Sequence, residues 1–338
     1  MPPGNVKNHR VRAYPGTDVC VGRVIWAPAK SLWFTAMTIA GAVGGTLYFS
    51  WSAFALFLVT SGFVLLTGHS VGMDRRLIHG SFQCAKWLDY LLVYFGTLVG
   101  LAGPLGLLRT HDMRDFAQRL PRCHDYFAHR RSFFVDAYWQ LHCDLVLANP
   151  PTLLLEPQIE RDPIYRFLER TWMLQQLPWA ILLFWVGGWG YVYWGVCARV
   201  SVCVFGHWLV GYFAHGIDPA KYTIRGAAVQ GLNVRFASLL TMGESWHNNH
   251  HAFPGSAKLG VSTGEWDPGW WFIKALEYFG LAWKLKTPSE LPHRSELLYT
   301  LPHYSEAYVR YTPRKAIPHE IKFHAIGGAV DLRRSSVD

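Results

Sequence analysis

The stretch SLWFTAMTIAGAVGGTLYFSWSAFALFLVTSGFVLLTGHSVGM, from Ser31 to Met73, contains no Asp, Glu, Lys or Arg. It is long enough for two helices of the roughly 20 residues that cross a hydrocarbon core. Ser50-Trp51-Ser52 is a natural turn between them, with Trp at interfacial depth. A second uncharged run, Thr171 to Ala198, is followed by Arg199 and then by the uncharged Val200 to Ile217. This predicts a second hairpin with Arg199 near its tip and Pro178 in the first turn of a helix. Leu91 to Leu108 is also apolar but carries Gly96, Gly100, Gly103, Pro104 and Gly106, which suits an interfacial or re-entrant segment better than a straight span. A soluble core helix rarely runs this far without a charge.

The reading outward from these runs is an all-α membrane protein with four transmembrane helices in two hairpins, at about 31–50, 53–73, 178–198 and 200–217. Residues 1–30 form a cytosolic N-terminal segment, 31–285 the membrane domain and 286–338 a polar cytosolic tail. Only 16% of the 338 residues are charged, against ~25% in ordinary soluble proteins, and 51% are hydrophobic. These values exclude a disordered chain, a collagen-like repeat and a small disulfide scaffold. Mean hydropathy is only +0.09, so polar extramembrane segments must offset the spans.

Lys and Arg are concentrated before Ser31, between Asp74 and Arg170, and beyond Asp218, and are absent from the first hairpin turn. The positive-inside rule places both termini and the middle segment in the cytoplasm, as in a bacterial inner-membrane protein. No apolar core of a signal peptide is present near the N-terminus, so no cleavage is expected. The six Cys, without a CxxC, suit reduced thiols. A net charge of +9 suits anionic lipid headgroups and an acidic protein partner. With no basic run interleaved with aromatics, nucleic acid is not an expected partner.

The strongest local signal is Gly243-Glu244-Ser245-Trp246-His247-Asn248-Asn249-His250-His251-Ala252-Phe253-Pro254. His247, His250 and His251 stand at i, i+3 and i+4, so a helix turns all three to one side, as a transition-metal site requires. His215, at the end of the expected fourth span, is a further candidate ligand, while His207 suits a supporting hydrogen bond. His69, Asp74 and His79 follow one another at intervals of five, and residues five apart on an α-helix point about 140° apart. Asp74 and His79 therefore reach one metal only if the helix ends or bends; His69, within the apolar run, suits a supporting role. His111 and Asp115 are candidate ligands in the next polar segment, with His124 and His129 as lesser ones. His293, His303, His319 and His324 read as surface residues.

These residues resemble the integral-membrane fatty acid desaturase and hydroxylase family, whose members carry three histidine boxes on the cytosolic side of two membrane hairpins. The resemblance runs from about Ser31 to Trp283. Trp246 to Pro254 resembles the third box of bacterial acyl-lipid and acyl-CoA desaturases. Gly72-Met73-Asp74-Arg75-Arg76-Leu77-Ile78-His79 resembles the first box, His111 the opening of the second, and His215 the ligand near the fourth span. Asp74 stands where the first box has a histidine, Arg114 and Asp115 where the second has a histidine pair, and Gly211 where an asparagine is usual. Carboxylates are acceptable iron ligands.

The resemblance implies two non-haem irons held by Asp74, His79, His111, Asp115, His215, His247, His250 and His251, with O2 as co-substrate. It implies removal of two hydrogens from a fatty acyl chain carried as acyl-CoA, acyl-ACP or phospholipid, in contact with membrane lipids. Trp185, Gly187, Gly188 and Trp189 are candidates to line the acyl tunnel, although ordinary membrane packing accounts for each singly. No His-Pro-Gly-Gly of a fused cytochrome appears, so a separate electron donor such as a ferredoxin, rubredoxin or cytochrome is expected. The alternatives are a hydroxylase on the same scaffold, a degenerate lipid-binding relative, or a haem cytochrome.

Overall fold

The computed structural model describes residues 10–216 and 220–299. The first nine residues, the end of the expected fourth span at Ile217, and His303, His319 and His324 with the rest of the tail lie outside the described residues.

Helix α1 (Pro28–Ile39) has Pro28 at its first position, where a missing N–H costs nothing. The helical path continues through a wider turn at Ala40–Gly44 to Leu47. The chain then reverses, and Ser50 Oγ accepts from Ala53 N to cap α2 (Trp51–Ile78). This is the expected turn. The second half of α2, Val64–Ile78, is wound with i→i+5 hydrogen bonds, ending in His79 N donating to Asp74 O at 3.0 Å.

Helices α3 (Lys86–Leu98) and α4 (Pro104–Arg119) occupy the glycine-rich segment. Its glycines have a packing cause. A Cβ on Gly68 would fall 2.3 Å from Gly96 N, so α2 and α3 meet backbone to backbone. Gly100, at φ +85°, makes the turn between α3 and α4. The expected interfacial or re-entrant segment is thus a helix–turn–helix packed on α2.

Helix α5 (Phe133–His142) precedes α6 (Gln176–Phe213). Among the described residues, α2 and the helical stretch α6 are long and apolar enough to cross a membrane, α6 as two arms joined at Gly187–Gly188. Within α6, Gly187 and Gly188 leave helical geometry, and Gly188 has φ +67° and ψ −160°, a conformation essentially confined to glycine. The chain folds back there: a Cβ on Gly195 would meet Leu183, and Arg199 donates to Gln176 Oε1. The tip of the second hairpin is therefore Gly187–Gly188 and not Arg199. Buried Arg199 also donates to Gly195 O and Leu98 O, which compensates a guanidinium among apolar side chains. Trp185 and Trp189 stand at the tip, 82% and 50% exposed, so they do not line an interior tunnel.

The expectation of an all-helical chain needs amending: the described residues also form five two-stranded antiparallel ribbons. The longest pairs β1 (Asp18–Trp26) with β2 (Cys143–Asn149), matching Trp26 to Cys143. Short helices α7 (His247–Ala252) and α8 (Pro268–Tyr278) follow. The buried Arg75 guanidinium of α2 donates to Asp267 at 2.8 Å and to Ala257 O at 3.1 Å, tying α2 to the segment around α7 and α8. All six cysteines are free thiols.

Candidate metal centre

Two convergent groups of ligating side chains form where α2, α4, the end of α6 and α7 meet. The first is Asp74, His79, His111 and His250; the second is His215, His247 and His251. Within each group the candidate ligand atoms lie within 4.8 Å of one another.

In the first group, Asp74 Oδ1 is 3.5 Å from His79 Nε2 and 3.9 Å from His111 Nε2, and Oδ2 is 3.7 Å from His250 Nδ1. The i→i+5 winding at the end of α2, with His79 as the residue that closes the helix, brings Asp74 and His79 to one side, as the expected end or bend requires. His111 Nδ1 faces Asp112 Oδ1 at 3.3 Å, a contact that leaves Nε2 turned towards Asp74. Burial lowers the His111 imidazole, but its bond to Asp112 and the nearby Asp74 raise it above the ordinary value. Asp112 is itself held by Arg10 at 3.1 Å.

In the second group, His247 Nε2 is 2.9 Å from His215 Nε2 and 3.0 Å from His251 Nε2. His215 Nδ1 donates to Gly211 O at 2.7 Å, which assigns its Nε2 as the lone-pair nitrogen. Burial pushes the His247 imidazole down to about 4 and also lowers His250 and His251. Neutral imidazole is the form that ligates metal.

Helix α7 divides its histidine triple between the groups, contrary to one shared side. His250 and His251 are adjacent, about 100° apart around the helix, so they face different partners. The asparagines between His247 and His250 fix that orientation. Asn248 Nδ2 donates to Tyr222 O and Gly231 O, Asn249 Nδ2 to Leu259 O, and Asn233 Oδ1 accepts from Asn248 N. Buried amides that interleave ligands are a readable signal in Trp246–Phe253, yet their partners are distant in sequence. Glu244 is a further, mostly buried carboxylate that its place in the sequence does not signal. Burial and the nearby Asp74 raise its carboxyl to about 8, and it accepts from Ser70 Oγ at 2.6 Å.

The remaining candidates lie outside both groups. Asp115 accepts from Arg119 Nε at 2.9 Å. His69 and His207 contact each other at 3.3 Å. His124 caps a short helix through Tyr126 N, and the buried His129 meets Asp136 Oδ2 at 2.8 Å. His293 is exposed, as expected.

The donor sets fit transition-metal cations. Among the described residues, Asp74 Oδ2, His79 Nε2 and His250 Nδ1 are buried without a hydrogen-bond partner, a costly arrangement that a bound cation relieves. Three mutually facing imidazole nitrogens likewise cannot all be satisfied by protons.

No family model matches the chain. It is 31% identical over 265 residues to the sn-1 stearoyl-lipid 9-desaturase of Anabaena variabilis, covering 75% of this chain and 93% of that protein. It is 32% identical to the sn-2 palmitoyl-lipid 9-desaturase of Nostoc sp., covering 70% of this chain and 83% of that one. An acyl-CoA 5-desaturase of Anemone leveillei is 32% identical over 73% of this chain and 75% of its own length. Similarity at this level over most of the chain carries the conclusion that it belongs to the fatty acid desaturase family and is an oxidoreductase acting on fatty acyl chains.

Proposed function

We propose that this desaturase introduces a double bond into an acyl chain in an O2-dependent reaction at two irons. Asp74, His79, His111 and His250 would hold one, and His215, His247 and His251 the other. The observation that carries this reading is the pair of convergent groups, each within 4.8 Å and joined by one turn of α7. Asp115, committed to Arg119, stands in the surround in this reading; His129, stacked on His215, and the His69–His207 pair support the ligands, while His124 caps a short helix.

Bound there, the irons would supply the reductive activation of O2 that withdrawal of hydrogens from unactivated methylenes demands. The protein's own residues do the positioning. The Asp74 carboxylate brings negative charge to the first group, and Asp112 and Gly211 O orient His111 and His215 through their Nδ1 atoms. Asn248 and Asn249 hold α7 against rotation, keeping His250 in one group and His247 and His251 in the other.

In this reading the molecule spans the bacterial inner membrane four times. Its two hairpins have tips near Ser50 and at Gly187–Gly188, and both termini and the ligand groups face the cytoplasm. The substrate is a fatty acyl chain on a lipid, CoA or acyl carrier protein; the names of the relatives favour the first two carriers. The electron donor is a separate redox protein.

Expression in a host with simple lipids, followed by fatty acid profiling, tests the proposal. Wild type should yield acyl chains lighter by two hydrogens, and His250→Ala should lose at least about 100-fold of that product while still inserting in membranes. Full activity in His250→Ala would sink the assignment. Products that gain oxygen would point to a hydroxylase, and a haem band in the purified protein would overturn the non-haem reading.

A further inference from the structure

The two ligand groups sit in unlike electrostatic surroundings. The first contains the Asp74 carboxylate, backed by Asp112. The second contains only imidazoles and has a guanidinium behind it. The His129 ring stacks on His215 at 5.3 Å with planes 6° apart. Arg114 Nη1 donates to His129 Nε2 at 3.2 Å and Nη2 to Gln140 Oε1 at 2.7 Å, so the cation is fixed one ring's depth from the group.

That arrangement is built into the fold. His129 Nδ1 donates to buried Asp136, which also accepts from Trp208 Nε1 at 2.8 Å. His129 adopts φ +49°, an uncommon backbone for a residue with a side chain, and its surroundings must hold it there. Gly211 supplies the room: a Cβ there would lie 3.1 Å from His129 Nε2 and 3.8 Å from Arg114 Nη1. Arg114 Nε is buried without a hydrogen-bond partner among the described residues. The carboxylate next along α4, Asp115, is engaged by Arg119, and Arg294 donates to His251 O and Ala252 O. A divalent cation entering the three-histidine group therefore meets a nearby guanidinium, partly offset by Asp136 behind His129, where the Asp74 group offers a carboxylate within the ligand set itself.

Building on the metal-centre reading above, we propose that the Asp74 group binds metal first and the three-histidine group second, about tenfold or more weakly, with Arg114 setting the gap. The test is titration of metal-free, full-length protein in detergent with Co2+, followed by visible absorption and by equilibrium dialysis with metal analysis. Two unequal equivalents are expected. His79→Ala should abolish the tighter one and His251→Ala the weaker. Arg114→Gln should close the gap by about tenfold, and His129→Ala, which removes a hydrogen-bond anchor of Arg114, should close it in part.

Two equal equivalents, or loss of the tighter one in His251→Ala, would overturn the order of loading. An unchanged gap in folded Arg114→Gln would overturn the role of Arg114. If Arg114→Gln does not accumulate, the His79 and His251 variants still decide the order. No Co2+ bound by wild type would instead sink the metal-centre reading itself.

Discussion

Asp74 and His79 show how one residue's role depends on the winding beneath it. Five positions apart on an α-helix they diverge, but the i→i+5 turn of α2 aligns them, so the carboxylate and the imidazole face one point. The candidates were legible from residue type and clustering; the winding was not. His247 carries a prediction at this scale. Burial holds its imidazole at about 4, while an unfolded histidine titrates near 6.5. Between those values the unfolded chain binds the proton and the native chain does not, so stability rises with pH across that window. The thermal midpoint of metal-free protein should fall on acidification from pH ~6.5 to ~4, and His247→Gln should flatten the fall. An equally steep fall in that variant would refute this account of His247.

At the scale of elements, α2 is tied to the α7–α8 segment through Arg75 and Asp267. Asp267 also accepts from Leu259 N, Gly260 N and Trp270 N, so one carboxylate organises a turn and neutralises a buried cation. Asp267→Ala should cost about 3–5 kcal/mol, because it removes the nearest carboxylate from a buried guanidinium, leaving only the longer contact to Glu244. A thermal midpoint within a degree or so of wild type would contradict that. The second hairpin turns at Gly188, whose backbone suits glycine alone, so Gly188→Ala should cost about 1–3 kcal/mol, measured in the same assay. This hairpin is legible from its lack of charge, but its turn lies at Gly187–Gly188 and not at Arg199. A charge in an apolar run usually marks a boundary, but here Leu98 O, Gly195 O and Gln176 satisfy it internally.

On the scale of the whole molecule, the candidate ligands come from four separate parts of the chain, brought together where α2, α4, the end of α6 and α7 meet. If the Lys and Arg distribution sets the orientation, a cysteine at the exposed tip (Trp185→Cys) should react with a membrane-impermeant maleimide in intact spheroplasts. One at the exposed Arg161 should react only after lysis. Labelling of both in intact cells would refute the proposed topology.

Residue type and spacing by themselves pointed to apolar helical runs and to a cluster of histidines that could hold metal, because both signals are local: absence of charge over twenty residues, and three imidazoles within five positions. Only the tertiary structure decided how the ligands divide. Whether His250 joins Asp74 or His215, and whether Asp115 faces a metal or Arg119, depends on the rotation of α7 and the packing of α4. Those are fixed by contacts such as Asn248 with Tyr222 and Arg114 with His129, between residues whose pairing no local pattern encodes.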